Sequence, residues 1–199
     1  MEKIFLDSNV IANWVLIKDS AKKFKEFKDE KILRRRLENI SYSYTLIEAL
    51  INTDEYEVES SNLAIGEVYH VIYNEILSLK MYRLGIPLTL WSKMREKQKL
   101  TETEKFLMKE SIPKYLKELK RKIKVVDDKI DYEVYPKLVL EYKLRTHDAI
   151  LLTTAILDGC AWFITNDKEI VGLNKRKRKP AFSEIFNITP DLPQNFLEL

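Results

Sequence analysis

Four carboxylates stand out by their positions in the chain: Asp7, Glu67, Asp148 and Asp167. Asp7 follows a short apolar run at residues 3–6 and precedes Val10, Ile11, Trp14 and Val15, which repeat at helical spacing. It therefore ends a strand and precedes a helix. Asp167 has the same setting, because residues 161–164 read as a buried strand that stops at Thr165-Asn166-Asp167. Asp148 heads a helix whose apolar face is Ala149, Leu152, Ala155 and Ile156, closed by the turn at Asp158-Gly159. Glu67 has Leu63 and Ala64 one helical turn back and Val71 one turn on, which singles it out from Glu75. A carboxylate so flanked costs desolvation unless a cation or hydrogen-bond donors meet it.

Such acids have a shared chemistry if the fold gathers them. Unmetallated, a cluster of carboxylates raises some of its own pKa values. A hard divalent cation with oxygen ligands relieves that repulsion. Mg²⁺ or Mn²⁺ suits the set better than zinc, since the chain has one cysteine and only His70 and His147, not at ligand spacing. His70 reads as a packed or exposed helix residue. Divalent ions beside a basic, phosphate-binding surface imply phosphoryl transfer, where paired ions activate water and stabilise a leaving oxygen. Singly, each acid has a plainer reading. Asp7-Ser8-Asn9 are all good N-cap types, Asp148 suits a helix dipole, and Asp167 suits a strand-to-turn stop.

The elements that would position these residues alternate between helix and strand. After the first strand and helix, residues 18–31 read as a charged second helix with Phe24, Phe27 and Ile32 on one face. Arg34-Arg35-Arg36 reads as a solvated helix face, and residues 40–51 as a further helix. Residues 56–59 form a brief strand candidate, and Ser60-Ser61-Asn62 offer caps for a long helix through residue 79. Leu84-Gly85-Ile86-Pro87 stops that helix. Residues 80–125 read as a helical elaboration. Thr101 and Glu104 have capping-box spacing there, and Pro113 fits the first turn of another helix. Ile112, Leu116, Leu119 and Ile123 form its inner face. Lys114, Lys117, Arg121 and Lys124 form a stripe that suits either solvent or a phosphate backbone. Residues 123–126 leave as a strand, residues 132–144 read as amphipathic helix, and a last strand is expected near 181–186. Lys175, Arg176, Lys177, Arg178 and Lys179 form a basic run that suits a solvated loop or a polyanion contact. Its closeness in sequence to Asp167 favours the contact.

Four stretches resemble the acidic motifs of PIN-domain nucleases, and the toxin ribonucleases of that family in particular. They are Phe5-Leu6-Asp7-Ser8-Asn9-Val10-Ile11, Ser61-Asn62-Leu63-Ala64-Ile65-Gly66-Glu67-Val68, Asp148-Ala149-Ile150 and Phe163-Ile164-Thr165-Asn166-Asp167-Lys168-Glu169. Each is short; all four in order are specific. The resemblance covers most of the chain and leaves out residues 80–125. It implies an α/β fold, a three-layer α/β/α sandwich on a central parallel twisted sheet, and metal-dependent hydrolysis of RNA. Carried over by position, Asp7, Glu67, Asp148 and Asp167 hold Mg²⁺ or Mn²⁺ and orient the attacking water. Ser8, Asn9, Thr165 and Asn166 support them by hydrogen bonding. Glu169 stands where the family often has an aspartate, so at most a water-mediated role is expected. The resemblance further implies a homodimer and an antitoxin protein as partner.

Length fits one domain over residues 1–199. The single cysteine, Cys160, cannot form an internal disulfide and suits a reducing, cytoplasmic setting. No run approaches a membrane span, and Met1 leads straight into Ile-Phe-Leu, so no leader is expected. Two rival readings remain. A PIN fold that binds RNA or protein without cutting would have no evident need for unneutralised carboxylates. A phosphatase of the haloacid-dehalogenase type needs an aspartate where Asn9 stands.

Overall fold

The computed structural model describes residues 1–20, 31–174 and 180–198. In chain order the elements are β1 Glu2–Leu6, α1 Ser8–Ser20, α2 Lys31–Leu50, β2 Tyr56–Ser61 and α3 Asn62–Arg83. A 3₁₀ turn, Leu88–Leu90, leads to α4 Trp91–Arg95, α5 Glu102–Leu119 and β3 Lys124–Val126. Then come α6 Val134–Leu140, α7 Thr146–Leu157, β4 Trp162–Ile164 and α8 Lys168–Val171. The chain closes with α9 Phe182–Phe186, β5 Thr189–Asp191 and α10 Pro193–Leu197.

The five strands form one parallel sheet in the order β3-β2-β1-β4-β5. Side chains alternate across it, so β1 feeds two cores. Ile4 and Leu6 join one with α1, α2, α3 and α5, through Val10, Trp14, Ile47, Val68 and Leu116. Phe5 joins the other with α6, α7 and α9, through Leu138, Leu152 and Phe182, and stacks on Phe163 of β4. Both faces of the sheet are thus covered, which is the three-layer arrangement expected. A parallel sheet needs that cover, because its strands are apolar on both sides.

The sheet order also fixes where a site can form. From β1 the chain moves outward through β2 to β3, then returns across to β4 on the far side of β1. Strand order therefore reverses between β1 and β4, and open α/β folds bind ligands outside the carboxyl ends of strands at such a point. Leu6 pairs with Ile164, and Asp7 N–H donates to Ile164 O at 3.0 Å. The register brings Asp7 and Thr165 side by side.

Several sequence expectations are corrected. The segment expected as a last strand near 181–186 is helix α9, because Glu184 Oε2 accepts from Ala181 N at 2.9 Å and caps its first turn. The last strand is β5, whose Pro190 obscured it. Proline is tolerated there because β5 is an edge strand. Pro113 lies inside a continuous α5 rather than opening a helix, and the buried face Ile112, Leu116 and Leu119 holds that helix together across it. Helix α2 begins at Lys31, well before residue 40; α3 runs on to Arg83; α6 is shorter than residues 132–144 and leaves Tyr132 exposed. Within the supposed basic stripe, Lys124 is ion-paired with Glu57 and Glu59. The capping box of Thr101 and Glu104 is present. The basic run 175–179, Phe24 and Phe27 lie outside the described residues; so do the side chains of Ile32, Arg34, Arg35 and Arg36.

Midway along β2, fully buried Glu59 is bridged by Lys3 Nζ at 3.3 Å and Lys124 Nζ at 2.7 Å. Cys160 lies against it, with Sγ 3.8 Å from Glu59 Oε2. Burial, and then the Glu59 charge, push that thiol up to about 12. It is an inert core group, as a small buried hydrophobe should be. No described helix is long and apolar enough to cross a membrane.

Candidate active site

Asp7 is buried at the carboxyl end of β1 and is held by four donors. Oδ1 accepts from Ser8 N at 2.6 Å and Ser8 Oγ at 3.1 Å. Oδ2 accepts from Asn9 Nδ2 and Thr165 Oγ1, both at 2.6 Å. Burial nonetheless pushes the carboxyl up to about 6; the bonds from Thr165 and Ser8 oppose this, and the charge of Asp148 adds to it. Asp7 also has its plainer role, since its carbonyl accepts from Val10 N at 3.1 Å and starts α1.

Asn9 ties the two strand ends together. Besides Asp7, its Nδ2 reaches Thr165 Oγ1 at 3.0 Å, and its Oδ1 accepts from Asn166 N at 2.8 Å. Asn166 Nδ2 in turn donates to Ser43 Oγ of α2 at 3.0 Å. Ser43 is fully buried, and Asn13 Nδ2 approaches it at 3.4 Å. The result is a polar spine running from α2 through Asn166 and Asn9 to Asp7.

Asp167 follows on that spine. Its N–H donates to Thr165 Oγ1 at 2.9 Å, and its Oδ1 accepts from Glu169 N at 2.8 Å, capping α8. Its other oxygen, Oδ2, accepts from Arg145 Nη2 at 3.1 Å. The same guanidinium donates through Nε to Asp148 Oδ2 at 2.9 Å. Asp148, in the first turn of α7, has its carboxyl raised by burial; Arg145 pulls it down, and the Asp167 charge adds to the rise. The Glu67 carboxylate on α3 is met by His147, whose Nδ1 lies 2.7 Å from Oε1. That is the partner its apolar setting required.

All four acids line one open cavity of about 510 Å³, together with Ser8, Asn9, His70, Arg145 and His147. Thr165 and Asn166 stand behind them in the hydrogen-bond network. Glu169 is exposed and contributes charge near Arg145. Lys175, Arg176, Lys177, Arg178 and Lys179 fall outside the described residues.

The carboxylates converge, but Asp148 and Asp167 are partners of Arg145, Glu67 is met by His147, and Asp7 is held by neutral donors. Among the described residues, no three His, Cys, Asp or Glu side chains are grouped to hold an ion. Arg145 and His147 are the residues that sequence reasoning missed as members of the site. Arg145 had a legible signal, because it precedes Asp148 by three residues at a helix start, a spacing that pairs opposite charges. His147 and Ser43 had none, as each meets a partner far away in the chain.

The family profile described as PIN domain matches residues 4–175. The chain belongs to the PIN-domain family. PIN domains are generally nucleases. A curated relative, an uncharacterized protein of Archaeoglobus fulgidus, is 33% identical over 110 residues, which span 53% of this chain and 91% of the relative. This PIN domain therefore carries a large share of sequence that the relative does not match.

Proposed function

We propose that this protein is a metal-dependent endoribonuclease that hydrolyses RNA phosphodiester bonds at the cavity between β1, β4, α3 and α7. The observation that carries the reading is the convergence of Asp7, Glu67, Asp148 and Asp167 on one cavity at the switch point of a PIN fold. The donor set suits Mg²⁺ or Mn²⁺ in kind, being hard carboxylate oxygens, though with Arg145 and His147 in place no three of the described ones stand grouped as ligands. Burial raises two of those carboxyls, Asp7 and Asp148, which marks a site that favours added positive charge. Asp7, Asp148, Asp167 and Glu67 would hold the ion. Bound there, it would supply Lewis-acid activation of water and charge stabilisation for a phosphodiester.

The chain's own groups have separate tasks. Asp7 is fixed by Ser8, Asn9 and Thr165, so its orientation is set before anything binds. Asn166 holds the turn that aims Asp167, and His147 orients Glu67. The 510 Å³ cavity opens at the molecular surface, where a polymeric substrate would have to enter. The family's toxin branch, its antitoxin partners and its dimers extend the reading to a toxin acting as a homodimer on cytoplasmic RNA.

The test is cleavage of total cellular RNA by the purified chain in Mg²⁺ and in Mn²⁺, with Asp167→Asn beside it. Cleavage that chelator stops, and a loss of about 10²-fold or more in the variant, is expected for a group acting on the reacting centre. Equal rates for parent and variant would defeat the assignment. RNA binding without any cleavage would turn the reading to a PIN fold that holds RNA and leaves it intact.

A further inference from the structure

We infer that Arg145 is an exchangeable counter-ion: it holds Asp148 and Asp167 while no metal is bound, and turns to the substrate's phosphate when metal takes them. The inference rests on the nuclease reading above and adds to it how metal and RNA binding are coupled.

Three observations carry it. First, one guanidinium spans two of the acids, Nε to Asp148 and Nη2 to Asp167. A monovalent cation thus already stands on oxygens that a divalent ion would need. Second, the Arg145 side chain is 73% exposed. The Asp148 and Asp167 side chains are only 20% and 22% exposed, so the pairs are half-buried, but the guanidinium itself stands in solvent and can leave the carboxylates without being drawn out of the core. Third, Arg145 is the one Arg or Lys side chain among the described residues lining the cavity. It uses two of its five N–H donors on the carboxylates, and the planar fork of the others matches phosphate oxygens.

The consequence is a two-way coupling. With Arg145 on the carboxylates, metal must compete with it, and its donors are turned from the substrate. With metal in place, Arg145 is released at the rim of a cavity whose acids would otherwise repel a phosphodiester. Metal then strengthens RNA binding, and by reciprocity RNA strengthens metal binding.

The experiment is calorimetric titration of Mn²⁺ into the full chain and into Arg145→Gln, followed by binding of a short oligoribonucleotide in saturating Mn²⁺, its length checked on a gel before and after. The variant should melt within a few degrees of the parent. It should bind Mn²⁺ roughly tenfold tighter, the ratio that loss of one competing two-carboxylate ion pair can carry. Its affinity for the oligonucleotide in Mn²⁺ should fall by about the same factor. Unchanged or weaker Mn²⁺ binding by the variant overturns the counter-ion role while leaving the nuclease reading intact. Unchanged oligonucleotide affinity overturns the phosphate role. Absence of Mn²⁺ binding by both proteins overturns the metal reading itself, and this inference with it.

Discussion

Asp7 accepts four hydrogen bonds, and burial still outweighs them, carrying its carboxyl from 3.8 to about 6. The sign of the stability effect follows. Between those two values the unfolded chain has released the proton and the folded chain keeps it, so metal-free stability falls as pH rises through that window and is level above it. The magnitude is on the order of 3 kcal/mol for a fully buried group. Denaturant melts of the chelated protein across that pH range, compared with Asp7→Asn, should show the slope in the parent and a much smaller one in the variant, where Asp148 still contributes. Parallel profiles would show that the buried carboxyl is not what titrates. At this scale the sequence was informative about Asp7, since Ser8, Asn9 and Thr165 all stand close to acids in their motifs. It was silent on His147, because nothing local to either residue connects it to Glu67.

Helices and strands decide which of these residues meet. Helix α3 is capped by Ser61 Oγ, which accepts from Ala64 N at 3.3 Å, and by Asp128, which accepts from Leu63 N at 2.9 Å. That fixes the first turns of the helix, and with them Glu67. The serine-rich capping stretch was legible in sequence; its aspartate partner beyond β3 was not, because pairing of β2 with β3 brings it there. Helix α2 acts at longer range through Ser43. Ser43→Ala should lower stability by about 1 kcal/mol, the usual worth of a buried hydrogen bond. It should also slow RNA cleavage, because Asn166 then loses the contact that steadies the turn before Asp167. Denaturant melts and initial cleavage rates read the two effects; an unaltered rate would confine Ser43 to packing. The elements whose type was misread were short ones; in long α2 and α5 only the bounds moved. α9 and β5 have too few residues for periodicity to separate helix from strand, and capping and an edge position decided them instead.

Taken whole, the molecule places its candidate chemistry at one rim of a sheet and its most inert group near the other. The rim was legible from two acids that each end a strand. The strand order that makes β1 and β4 neighbours was not readable from the chain alone; the structure supplies it. Near the far rim, Cys160 follows α7, just ahead of β4, and is sealed beneath Lys3 and Glu59. Ala161 N donates to Lys3 O at 2.9 Å directly beside it. A maleimide or iodoacetamide can therefore reach that sulfur only after α7 has lifted from the sheet, and its thiolate is scarce until then. Alkylation in native buffer should run orders of magnitude slower than in denaturant, checked by intact-mass spectrometry over time. Labelling at the free-cysteine rate would mean the layer is not closed. The lone thiol is thus a built-in stopwatch: the seconds or days it takes to acquire a label time how often one layer of the sandwich comes away from the sheet.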